Sequence, residues 1–272
     1  MSLEIKICGL STPAALDAAL DAGADFVGFV FFPPSPRHLS FEAARALGER
    51  ARGRARKVAL SVEADDEWLA ASIEALKPDL LQLHGKETPE RVLAVRNKFH
   101  LPVMKAVPVQ TASDLDAIPP YVKVADRILI DARAPKDATR PGGIGQLFDW
   151  GLLLRDIHPP ARQRSNKAGW GVEQDDSRSN LRRGVGWGAW REPGDITYSL
   201  RQDSPHAIPF MLSGGLGLDN IKQALLITKA PAVDVSSGVE RAPGDKDPDK
   251  IRAFIRAARA AAADAGKVAS SA

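Results

Sequence analysis

The chain has 272 residues, 44% of them apolar, which suits one large α/β core or two small ones. Its 37 basic and 34 acidic residues leave a net charge of +3 without a long basic block, so a small anionic ligand fits better than a nucleic acid. A lone cysteine excludes a disulfide within the chain and points to a reducing compartment, the cytoplasm.

The chain opens on an apolar run, Glu4 to Cys8, with no basic region and long apolar stretch before it, so no signal peptide is expected. The run ends in Lys6-Ile7-Cys8-Gly9, which leaves the thiol at a strand end beside a glycine turn. Cys8 reads either as a small buried hydrophobe or, at a barrel mouth, as a base. Lys6, on the same side of the strand, either fills a polar layer or favours the thiolate. Thr12-Pro13 starts a helix with Leu16, Ala19 and Leu20 on one face. Phe26 to Phe31 is the second strand, and the apolar run through Phe32 is too short to span a bilayer, so no membrane is expected. In Ser35-Pro36-Arg37 proline stiffens a turn, and Arg37 is either a surface charge or a fork that grips a carboxylate with two parallel hydrogen bonds. Ser40 caps the next helix, and Lys57 to Val62 and Leu80 to Leu83 are strands three and four. The fourth closes on Gln82-Leu83-His84-Gly85, where His84 hydrogen-bonds a substrate hydroxyl or caps the rim. None of the five histidines is spaced with Cys8 as a ligand set, so no metal is expected.

Thr88-Pro89 caps a further helix, Val103 to Val107 is strand five, and Ile128 to Asp131 is strand six. Asp131 either opens a turn or, partly withdrawn from water, has a raised pKa and acts as an acid facing Cys8. After an expected sixth helix the rhythm fails between Asp156 and Ala207, far beyond the connections of about 2–6 residues usual in βα units. The segment reads as an irregular insertion at about 157–207 on the amino-terminal face of the barrel. It holds Trp170, Trp187 and Trp190, which raises a self-packing or partner-binding loop against a solvated insert. Phe210 to Leu212 and Val233 to Val235 are strands seven and eight, each followed by a turn suited to phosphate: Ser213-Gly214-Gly215-Leu216, with a helix start near Asp219-Asn220, and Asp234-Val235-Ser236-Ser237-Gly238. Asp247-Pro248 caps the last helix, with Ile251, Phe254 and Ile255 on one face, and the small residues after Ala260 read as a fraying tail. Eight β-strands alternating with helices predict a (β/α)8 TIM barrel over residues 1–265, one domain with a flexible tail at 266–272.

Lys6-Ile7-Cys8-Gly9-Leu10, Gly28-Phe29-Val30-Phe31, Ser35-Pro36-Arg37, Gln82-Leu83-His84-Gly85, Asp131, Gly142-Gly143 with Phe148-Asp149-Trp150, and the two phosphate turns through Glu240 together resemble phosphoribosylanthranilate isomerase of tryptophan biosynthesis. The resemblance covers nearly everything outside the insertion. It implies that Cys8 is the general base at C2′ of the ribose and Asp131 the general acid at the furanose oxygen. It further implies that Arg37 holds the anthranilate carboxylate and that the glycine and serine turns with Gly214, Gly215, Ser236, Ser237 and Gly238 hold the phosphate; Asp234 and His84 complete the expected substrate-binding set. No cofactor is implied, because the substrate nitrogen stabilises the intermediate; a monomer is the expectation, with an oligomer left open. Two features depart from the family pattern: Ile144 stands between the lid glycines where a small polar residue is usual, and the insertion itself.

Two other classes compete. One is a phosphate-ligand-binding barrel whose catalysis the insertion has impaired; failure to complement a tryptophan auxotroph, with rescue on deleting the insertion, distinguishes it. The other is an aldolase with Lys105 as Schiff base, distinguished by borohydride trapping; the isomerase reading instead makes Lys105 a rim charge facing the substrate.

Overall fold

The computed structural model describes residues 2–157 and 198–270, apart from 136, 139, 203, 205 and 206, with backbone alone for 265–270. Eight parallel strands close into a barrel: β1 (Glu4–Cys8), β2 (Phe26–Val30), β3 (Arg56–Ser61), β4 (Leu80–Leu83), β5 (Val103–Val109), β6 (Arg127–Ala132), β7 (Phe210–Leu212) and β8 (Ala232–Val235). Each strand pairs with its neighbours in sequence, and β8 closes on β1. Buried on both faces, these strands read as near-continuous apolar runs rather than an alternation. Inside the barrel, Phe26, Val58, Leu80, Met104, Leu129 and Met211 fill the lower layer. Above them Cys8, Val30 and Leu60 form an apolar wall near the carboxy-terminal mouth.

The outer layer holds α1 (Pro13–Asp21), α2 (Phe41–Ala51), α3 (Asp66–Leu76), α4 (Pro89–Phe99), the single turn α5 (Pro119–Val122), α6 (Ile221–Thr228) and α7 (Pro248–Ser270). The predicted caps form: Thr12, Ser40 and Thr88 each accept from the backbone N–H three residues on, at 3.3, 3.1 and 3.3 Å. Leu16, Ala19, Ile251, Phe254 and Ile255 are all buried against the sheet. A fully buried leucine, isoleucine or phenylalanine stabilises by roughly 1.5–3 kcal/mol, so these faces hold the outer ring to the barrel. The helix α7 continues past Ala260, where the sequence reads as a tail; alanine's high helix propensity accounts for the extension.

The connection from β6 to β7 differs from expectation. Among the described residues it carries no sixth α-helix but a 3₁₀ segment, Trp150–Leu154, capped by Asp149, whose Oδ1 accepts from Gly151 N–H at 2.9 Å. Asp156–Ile157 then pairs antiparallel with Tyr198–Ser199. Leu200 is fully buried and Ile208 nearly so, both in the main core. Both ends of the supposed insertion at 157–207 therefore belong to the packed fold, while Trp170, Trp187 and Trp190 lie outside the described residues.

Candidate active site

The thiol side of the mouth is built on β1. Lys6 is fully buried, and its ammonium donates to Asp234 Oδ1 at 2.9 Å, across the β1–β8 register that sets the two residues side by side. Asp234 Oδ2 also accepts from Ser213 Oγ at 3.3 Å, tying the ends of β7 and β8 to the same charge. Cys8 sits opposite Gly28 in the β1–β2 register. A Cβ on Gly28 would stand 3.1 Å from both Cys8 Sγ and Lys6 Cε, so glycine is what allows the lysine to rise beside the sulfur. Burial pushes the Cys8 thiol above its ordinary pKa and Asp234 adds to the push, while the Lys6 ammonium and, more weakly, Lys246 pull it back. Burial disfavours the Lys6 charge as well, but Asp234 and Cys8 outweigh it and raise its pKa. Lys6 is therefore a fixed positive charge beneath the thiol.

Across the mouth Asp131 is 5% exposed near the end of β6, and its Oδ1 accepts from Ala132 N–H at 2.9 Å. Its Oδ2 is 3.1 Å from His84 Nε2, and His84 Nδ1 is 2.8 Å from Gln82 Nε2. With the Gln82 amide donating, His84 carries its proton on Nε2 and gives it to a carboxylate. Gln82 Oε1 is then buried without a partner among the described residues. Turned over, the amide accepts from Nδ1–H, and Nε2 accepts a hydrogen bond from a carboxylic O–H on Asp131, the form an acid needs. His84 thus serves Asp131 as well as lining the cavity, a role its strand-end position did not disclose.

Cys8, Arg37, His84, Asp131, Ser213, Gly214, Gly215, Asp234, Ser236 and Ser237 all line one cavity at the mouth, under a lid formed by residues 140–146. A Cβ at Gly142 would lie 2.5 Å from Asp131 Oδ2 and 2.6 Å from His84 Nε2, so the lid backbone rests directly on the acid pair. Ile144 also faces the cavity. Gly238 lies outside this lining: a Cβ there would collide with the Leu216 carbonyl, so the glycine lets the turns after β7 and β8 pack into one cradle. Asn220 orders that cradle, accepting from Gly217 N–H at 2.9 Å and donating to the Gly215 carbonyl at 3.0 Å.

Arg37 is buried, but its free fork is smaller than the sequence suggests. Nε and Nη2 are already paired with Glu240 Oε1 and Oε2 at 2.6 and 2.7 Å, and Nη2 also donates to the Gly143 carbonyl at 3.0 Å. The expected pair of parallel bonds is thus made to the protein's own carboxylate, which leaves Nη1 as the donor free of that pairing. Lys246 completes the cluster, donating to Glu240 Oε1 at 2.7 Å and to the Ser236 carbonyl at 2.8 Å. Burial and the nearby Arg37 lower its pKa to about 8 against the opposing pull of Glu240. Burial raises the Glu240 carboxyl, but the pull of Arg37 and Lys246 prevails and lowers it. Glu240, which ends the motif behind the family resemblance, and Lys246, six residues on, carried no assigned role in the sequence. Lys105 is not a rim charge: its ammonium is buried, donating to the Gly85 carbonyl at 2.6 Å and Glu87 Oε2 at 3.0 Å.

Residues 5–158 and 196–257 match the family model described as N-(5'-phosphoribosyl)anthranilate (PRA) isomerase. A curated N-(5'-phosphoribosyl)anthranilate isomerase of Bradyrhizobium sp. (strain ORS 278) is 52% identical over 261 residues, covering 96% of this chain and 97% of its own. That of Rhodopseudomonas palustris (strain BisA53) is 52% identical over 260 residues, with coverage of 96% and 97%. Among solved structures, phosphoribosyl anthranilate isomerase from Thermotoga maritima superposes with a TM-score of 0.69 at 29% identity, over 95% of this chain and 99% of that one. A phosphoribosyl anthranilate isomerase in complex with reduced 1-(o-carboxyphenylamino)-1-deoxyribulose 5-phosphate gives 0.66 at 27% identity, over 95% and 99%.

Proposed function

The chain belongs to the N-(5'-phosphoribosyl)anthranilate isomerase family, and we propose from its barrel mouth how it carries out the family's Amadori rearrangement in tryptophan biosynthesis. The substrate, N-(5'-phosphoribosyl)anthranilate, becomes 1-(2-carboxyphenylamino)-1-deoxyribulose 5-phosphate. Asp131 donates a proton to the ring oxygen as the C1′–O bond breaks, and the nitrogen lone pair forms the iminium. The Cys8 thiolate then takes the C2′ proton, giving an enolamine that tautomerises to the ketone, so the step is an isomerisation with no external reductant or oxidant. Lys6 holds charge beside the thiolate, and His84 orients and exchanges the proton on Asp131. Gly214, Gly215, Ser236 and Ser237 cradle the phosphate through backbone and hydroxyl donors, with Gly238 fixing the cradle's shape and Asp234 anchoring Lys6 beside it. Arg37 meets the anthranilate carboxylate with the donor that Glu240 leaves free.

The observation that carries this reading is the placement of a lysine-supported thiol and a histidine-supported carboxyl in one lidded cavity. The test follows the fall in anthranilate fluorescence on turnover. Cys8→Ala and Asp131→Ala should each slow it by about 100- to 10,000-fold while still binding the reduced product analogue; normal turnover in either variant refutes the assignment. Every group named comes from one chain, so a monomer suffices for the chemistry. A base that must remain a free thiol fits a reducing cytoplasm, and among the described residues no helix is long and apolar enough to cross a membrane. We assign one barrel domain, with the segment between Ile157 and Tyr198 inserted into it.

A further inference from the structure

Within the isomerase reading, one ligand group remains under-served. The anthranilate carboxylate offers two oxygens, yet the Nε and Nη2 donors of Arg37 are committed to Glu240. A second guanidinium stands beside it. Arg140, at the start of the lid, reaches the Gly143 carbonyl with Nη2 at 3.5 Å, the same oxygen that Arg37 Nη2 meets at 3.0 Å. Arg140 lines the cavity, and its Nε is buried without a partner among the described residues. We propose that Arg140 is a second carboxylate-binding residue of this enzyme, closing with the lid so that it and Arg37 hold the two oxygens of the anthranilate carboxylate between them.

Charge and position both favour this anion over the phosphate. Among the described residues the cluster holds three cations, Arg37, Arg140 and Lys246, around one carboxylate, Glu240, a balance that suits a further negative charge. Burial and the neighbouring Arg37 lower the Arg140 pKa, partly offset by Glu240, which is the strain that an incoming carboxylate relieves. Along the lid, Gly142 covers the acid pair and Gly143 covers Arg37, whereas Gly145 approaches Ser237 and Gln146 approaches Gly215. The cradle assigned to the phosphate therefore lies under the far end of the lid, and Arg140 stands at the end nearest Arg37. Arg140 also borders the adjoining space, where Phe32, Val62, Ala106 and Pro108 offer apolar surface to an aromatic ring.

The test compares two ligands in equilibrium binding: reduced 1-(o-carboxyphenylamino)-1-deoxyribulose 5-phosphate and the same molecule lacking the ring carboxylate. Charge-assisted hydrogen bonds place the expected loss for Arg140→Gln at about 10- to 100-fold for the carboxylated ligand. Binding of the decarboxylated ligand should be unchanged, which also reports that the phosphate cradle is folded. Arg140→Lys should recover part of the loss through its charge. Equal weakening of both ligands, or weakening of neither, overturns the proposal. If the unaltered enzyme binds neither ligand, the isomerase reading of the site fails first; if it binds and discriminates but Arg140→Gln discriminates as well, only the role of Arg140 fails.

Discussion

At the level of single residues, the environment of Cys8 makes a signed pH prediction. The working form of the base is the thiolate, and burial raises the thiol pKa while Lys6 opposes that rise. The acidic limb of kcat/KM should therefore climb as pH rises through the folded-state pKa of Cys8. Lys6→Gln keeps a donor for Asp234 but removes the charge that stabilises the thiolate, so the limb should move to higher pH. A profile that stays put or moves to lower pH contradicts the support assigned to Lys6. Removing the ammonium altogether, as in Lys6→Met, leaves the Asp234 carboxylate buried with only the Ser213 hydroxyl to meet it, which costs about 3–5 kcal/mol and should appear as a lowered unfolding midpoint. The strand-end positions of Cys8, Asp131, Arg37 and His84 were legible in the sequence, because a parallel barrel sends those positions to one mouth. Their partners were not: Glu240 lies 203 residues from Arg37 in sequence and Asp234 lies 228 from Lys6. Pairings of that range follow from barrel closure rather than from local spacing.

Among the elements, the lid turns a glycine into a catalytic constraint. Gly142 is required by space, since its Cβ would press on both Asp131 and His84. Gly142→Ala should lift the lid or displace the acid and lower kcat/KM by about 100-fold, the scale of a 1 Å misplacement. Its unfolding midpoint should stay close to the original, because the lid packs over the mouth and not in the core. A variant with unaltered kcat/KM contradicts the closed lid geometry. The strands and most helices were legible, as apolar runs bounded by Thr12-Pro13, Thr88-Pro89 and Asp247-Pro248 announce their own ends. The expected sixth helix was not found among the described residues. Trp150, Leu153 and Ile157 supply buried apolar side chains, but Asp149 starts a 3₁₀ turn and the chain then enters a two-residue strand. A helical pattern and a short 3₁₀ turn present the same apolar residues over so few positions, and only tertiary pairing with Tyr198–Ser199 separates them.

For the molecule as a whole, the segment between Ile157 and Tyr198 bears on whether the barrel works. Ile157 and Tyr198 are register partners in an antiparallel pair, so the chain leaves and re-enters the fold at adjacent points. A two-residue Asn-Gly turn joins such a pair directly. Replacing residues 158–197 with Asn-Gly should leave kcat/KM within about twofold and preserve complementation of a tryptophan auxotroph, as expected for a change remote from the site. Loss of both on replacement would make the segment part of the working enzyme. Deleting the wider span 157–207 is a different experiment, because it also removes the buried Leu200 and the paired strand Tyr198–Ser199. The barrel brings the Cys8 thiol from β1 and the Asp131 carboxyl from β6 to one cavity, and their joint action as base and acid is the central claim. It is tested most directly by a double-mutant cycle of Cys8→Ala and Asp131→Ala, with turnover followed by anthranilate fluorescence. Each single variant should lose about 100- to 10,000-fold in kcat, and the double variant little more than the worse single, as groups that act as a unit do. Either single variant turning over at the original rate while binding the reduced product analogue normally would contradict it.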